Sequence, residues 1–90
     1  MGDSVRVWLV ERTYSDDEQN IVILVYATPD GEQYHRIERA VTSPAAFPEI
    51  TAAVDAEPHN LGTVEDPEER ERYATQAERM AEEHDPDDVV

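Results

Sequence analysis

"IVILVYATPDGEQYHRIERAV", residues 21–41, decides the fold, because it reads as two strands joined by a tight turn. The first part, "IVILVYAT" (21–28), is apolar on both faces, the pattern of a central strand covered on both sides. "TPDG" (28–31) places Pro29 at the second turn position and Gly31 at the fourth, a type I turn whose glycine can take the left-handed conformation. "EQYHRIERAV" then returns as a third strand. Its Arg36, Glu38 and Arg39 are the charges with which an edge strand resists pairing with other chains.

Upstream, "VRVWLVERTY" (5–14) alternates β-branched and aromatic residues with polar ones and reads as a strand, separated from the next by the polar loop "SDDEQN". Downstream, "SPAAFPEITAAVDAEP" (43–58) changes to a helical pattern. It starts at Ser43 or at the Phe47–Pro48 step and stops at Pro58, with Phe47, Ile50, Ala53 and Val54 as the apolar stripe. "HNLGTVE" connects it, through Leu61 and Val64, to the clearest element of the chain. There Asp66 caps, Pro67 takes the first helical position and Glu69 completes a capping box, for a helix ending near His84 ahead of Pro86. Tyr73, Ala74, Ala77, Met80 and Ala81 form its buried stripe. "DPDDVV" (85–90) reads as an acidic flexible tail.

The expectation is one α+β domain over residues 1–84. A three-stranded antiparallel β-meander (5–41) is followed by two α-helices packed on one face (44–84). Centring the hairpin on its turn sets Tyr26 opposite Tyr34 and Leu24 opposite Arg36, and a matching register sets Trp8 opposite Tyr26. One face then carries Val5, Val7, Leu9, Ile21, Ile23, Val25, Ile37 and Val41 for the helices to cover. The other gathers Trp8, Tyr26 and Tyr34 in a row with Arg6, Arg12 and Arg36 around it, the composition of an interface hot spot. The competing assignment packs the aromatic row beneath a helix.

The chain has 22 Asp and Glu against seven basic residues, every one of them Arg, for a formal net charge of -15. So many like charges on a small domain oppose compaction at ordinary ionic strength. At molar salt the screening length falls to about 3 Å and the penalty largely disappears. Acid excess without lysine resembles the proteins of halophilic archaea that keep molar salt in the cytosol. The resemblance implies a salt-filled cytoplasm and extends to no characterised family. The N-terminus lacks the basic start and apolar run of a signal peptide, and no stretch reaches the roughly 18 apolar residues of a membrane span, so the expected location is the cytoplasm.

No catalytic residue set, cofactor motif or metal site is read from the sequence. With no cysteine there is no thiol nucleophile or thiolate ligand. His35, His59 and His84 have no partner histidine at helical or turn spacing. The acidic end Glu83–Asp88 does not force ligands to converge, and Ser4, Ser15 and Ser43 lack a nucleophile-elbow motif. His59 and Asn60, in a loop beside a capped helix, are weak loop candidates. Duplex nucleic acid needs Lys and Arg clusters that are missing.

The leading functional expectation is a non-catalytic protein-interaction or regulatory module that binds a protein partner or forms a homodimer through Trp8, Tyr26, Tyr34, Arg6, Arg12 and Arg36. A small enzyme or ligand-binding domain with its site at a dimer interface is the second reading. A nucleic-acid-linked protein, stacking single strands or mimicking DNA, is the third.

Overall fold

The computed structural model describes residues 4–15, 21–40 and 50–90. Strand β1 (Val5–Ser15), β2 (Ile21–Ala27), β3 (Gln33–Ala40), β4 (Ala53–Ala56) and the two-residue β5 (Gly62–Thr63) precede one helix, α1 (Pro67–Glu83). The strands form a single sheet in the order β4-β1-β2-β3-β5, and every neighbouring pair is antiparallel.

The apolar β2 lies at the centre of the sheet, as its composition requires. The rest of the expected architecture is corrected. The sheet has five strands instead of three, and α1 is the sole α-helix among the described residues. Of the expected first helix, residues 43–49 lie outside the described residues, and residues 53–56 form β4 against the outer edge of β1. "AVDA" satisfies a two-residue period as well as a helical one. As a strand it places Val54 opposite Val7 and Asp55 opposite Arg6, and it pairs backbone groups that β1 would otherwise leave open. The small side chains of Ala52 and Ala53 also pack in one buried cluster with Trp8.

Both registers differ from the expectation. Thr28 donates its N–H to the Gln33 carbonyl at 3.0 Å, so the loop holds four residues and pairs Ala27 with Tyr34 and Tyr26 with His35. In the first hairpin Trp8 pairs with Ala27 and Leu9 with Tyr26. A bulge at Val10 then moves Glu11 opposite Val25. Because side chains alternate with period two, each one-residue slip exchanges the faces.

Helix α1 therefore covers the face carrying Trp8, Val10, Val25 and Ala27, meeting it with Tyr73, Ala77 and Met80. The opposite face buries Val7, Leu9, Val22, Leu24 and Tyr26 together with Ile50 and Ala56. Each such fully buried large side chain contributes about 1.5–3 kcal/mol.

Within the segment expected to be an acidic flexible tail (85–90), residues 86–90 run back along residues 50–53. Ala52 N–H donates to Asp88 O, Ala53 N–H to Pro86 O and Val90 N–H to Ile50 O, at 2.8, 3.0 and 2.8 Å.

Candidate functional site

Between the sheet and the start of α1 lies an open cleft of about 370 Å³. Its wall on β3 is Tyr34 and Arg36, its floor includes Val25, and Glu11 reaches it because the Val10 bulge turns that side chain onto the helix-bearing face. Thr63, Val64 and Glu65 form the far rim, and Asp66, Glu69 and Tyr73 close it from α1.

Local structure explains why these groups stay in place. The Tyr34 ring lies directly over Gly62, where an added Cβ would come within 2.5 Å of the ring. Only a glycine admits that approach. The rim is tied to β3 by Val64 N–H donating to Glu32 O at 2.9 Å, and to the helix by Arg70, whose Nε and Nη2 donate to Val64 O at 3.3 and 3.1 Å. Asp66 caps α1 by accepting the Glu68 N–H at 3.0 Å. The reciprocal arm of the expected capping box is not made. Glu69 turns instead to Arg72, 2.5 Å away, and to the Tyr73 phenol. The Arg72 guanidinium lies 5.5 Å from the centroid of the Tyr73 ring, so that ring already carries one cation on it.

Four carboxylates, Glu11, Glu65, Asp66 and Glu69, surround the cleft. The guanidinium among its lining groups, Arg36, is engaged by Glu38 at 2.6 Å. Burial pushes the Tyr73 phenol up to about 12, with the Glu69 carboxylate reinforcing the effect. The same phenol, followed by Arg72, holds Glu69 below the usual carboxylate range. Both shifts move away from neutrality, opposite to what proton transfer at pH 7 needs. The lining is thus predominantly anionic, with its two shifted groups held in their neutral-pH forms, phenol and carboxylate.

Of the six residues predicted to form one face, only Tyr34 and Arg36 come together here. Trp8 is 8% exposed and packs with Ala52, Ala53 and Ala77 between sheet and helix. Tyr26 is 2% exposed on the other face, its hydroxyl donating to Thr51 O at 3.3 Å. The three rings therefore do not form a row. Arg6 pairs with Asp55 at 3.2 Å beside β4, and Arg12 donates to Val90 O at 3.1 Å. His59 and Asn60 are exposed on the 3-10 turn Pro58–Asn60, with His59 Nε2 3.1 Å from Glu57. Neither lines the cleft.

The reading from sequence missed Glu11, Glu69 and Tyr73 as site residues. The spacing of Glu69 and Tyr73, four apart on one helix face, was the available signal. Nothing in the sequence located the bulge that brings in Glu11.

Among the described residues no group of three His, Cys, Asp or Glu side chains is placed to hold a metal ion, and no helix is long and apolar enough to cross a membrane.

Fold and cleft together define a small α+β protein built on one antiparallel sheet, with an acidic, tyrosine-lined groove at the start of its helix. The chain belongs to a family of unknown function, DUF7967, whose model matches residues 1–90. No curated protein and no solved structure matches it.

Proposed function

We propose that this protein is a non-catalytic interaction module of a salt-rich cytoplasm, and that its cleft receives a basic side chain, Arg or Lys, of a protein partner. The observation that carries this reading is the lining itself: the Tyr34 ring and the carboxylates of Glu11, Glu65 and Asp66, beside a Tyr73–Glu69 pair that already holds the Arg72 cation, around one guanidinium paired with Glu38. Aromatic faces attract cations by their quadrupole, and this attraction, made at contact, survives screening better than long-range charge does. The same lining repels phosphate, which weighs against the nucleic-acid reading.

The test is titration with a short arginine-rich peptide in molar KCl, where diffuse attraction to the acidic surface is suppressed. Amide shifts should concentrate at Thr63, Val64 and Glu65. Tyr34→Ala and Glu69→Gln should each weaken binding about fivefold to tenfold, the scale of one cation–π or charge contact. Equal binding by both variants, or shifts spread over the whole surface, sinks the proposal.

A further inference from the structure

We infer that two copies of this chain pair through the open edge of β3, antiparallel and centred on Ile37, to form one continuous sheet. The edge is visible in the pairing. β3 is matched to β2 along its whole length, from Tyr34 to Ala40, but to β5 only at Gln33 and Tyr34. Among the described residues nothing pairs with the outer side of His35–Ala40.

The direction of the backbone groups follows from the hydrogen bonds at the start of the strand. Gln33 bonds inward to Thr28, whereas Glu32 O accepts from Val64 and Tyr34 meets Gly62 on the outer side. Backbone direction alternates along a strand, so Arg36, Glu38 and Ala40 aim their N–H and C=O outward. The side chains of Arg36 and Glu38 are 51% and 52% exposed.

Charge then selects the partner and the register. A second copy centred on Ile37 sets Arg36 opposite Glu38 of its partner and Glu38 opposite the partner's Arg36. These are both hydrogen-bonded pairs, giving four main-chain bonds. Centring on Arg36 or on Glu38 would place like charges face to face, which is unfavourable in a cross-strand pair. Charged edges ordinarily keep strands apart, but "RIE" read antiparallel is complementary to itself. β3 also carries two arginines against one glutamate in a chain of net charge -15. It is where two such acidic molecules can approach with little repulsion. Ile37, half-buried, would face its own copy on the sheet side of the Val7 cluster.

This goes beyond the cleft, and Ile37 separates the two, because its side chain packs on the opposite face of the sheet and does not line the cleft. Sedimentation equilibrium in KCl, up to millimolar protein, should show a dimer. Glu38→Arg should weaken it about tenfold, as should Arg36→Glu, since each turns two attractive pairs into two repulsive ones. The double exchange Arg36→Glu with Glu38→Arg should restore it, and the two single variants mixed together should pair with each other. In this cysteine-free chain, Ile37→Cys should form a disulfide-linked dimer on mild oxidation while His35→Cys does not, because only residue 37 meets itself, at about 4.5 Å between Cα atoms. A monomer at every concentration overturns the inference, as does a dimer indifferent to the charge exchange. Arginine-peptide binding by reduced Ile37→Cys, which leaves every cleft-lining side chain and the Arg36–Glu38 pair in place, reports separately on the cleft.

Discussion

Gly31 shows how much a single position can carry. Its φ is +73°, and a Cβ placed there would run into the Arg70 carbonyl and approach Ala74 N to 2.8 Å. The β2–β3 turn is thus seated directly on the backbone of α1. Gly31→Ala should destabilise the protein by about 2–4 kcal/mol, combining the left-handed backbone cost with overpacking. Urea unfolding at fixed KCl measures this, and a change below about 0.5 kcal/mol would mean the turn is not docked. Tyr73 supplies a pH test. Its folded-state value lies near 12 against an ordinary 10.0. The stability tied to its neutral form is therefore complete below pH 10 and lost as the pH rises from there through about 12. Helix ellipticity and phenolate absorbance should change together in that window, and Tyr73→Phe should remove that component of the alkaline loss. Trp8, by contrast, belongs to the packing between sheet and helix, and its truncation should cost about 3–5 kcal/mol.

At the scale of elements, α1 was the part most legible in the sequence, because its signals are local. Asp66, Pro67 and the Tyr73–Ala77 stripe specify start, direction and buried side without reference to anything distant. Asp66→Ala should cost about 1 kcal/mol in urea melts, since the Glu68 N–H loses its acceptor. No loss at all would mean the cap is redundant. β4 was not legible. Ala53 and Val54 fit a helix stripe and a strand equally well, and the deciding factor, the open edge of β1, lies about 45 residues away in sequence. The strands β1, β2 and β3 were found, but their faces were exchanged. The Val10 bulge and the four-residue loop each shift the register, and neither leaves a mark in the alternation. That exchange split the predicted site. Tyr34 and Arg36 still line one cleft, while Trp8 and Tyr26 went into the two halves of the core.

For the whole molecule, charge sets the working conditions. A net charge of -15 on a chain whose Cα radius of gyration is 13.4 Å opposes compaction unless counterions screen it. Glu82 and Glu83 add to the strain at the negative end of the α1 dipole, where no basic residue sits in the last turn. Raising KCl from about 0.1 M to about 2 M should therefore raise the melting temperature, by an amount set by screening over that range. A salt-independent melt would count against the salt-rich habitat proposed above.

The strand that joins the sheet from afar also orders its kinetics. The β1–β2 and β2–β3 ladders close over short loops, whereas Val5 meets Ala56 only after half the chain has been brought round. Loop-closure entropy delays such contacts, so β4 should dock last in folding and part first in native-state opening. Among strand amides bonded to a neighbouring strand, exchange should accordingly be slowest along β2 and fastest in β4. The molecule would then breathe from its β1 side while the helix-docked turn at Gly31 stays shut.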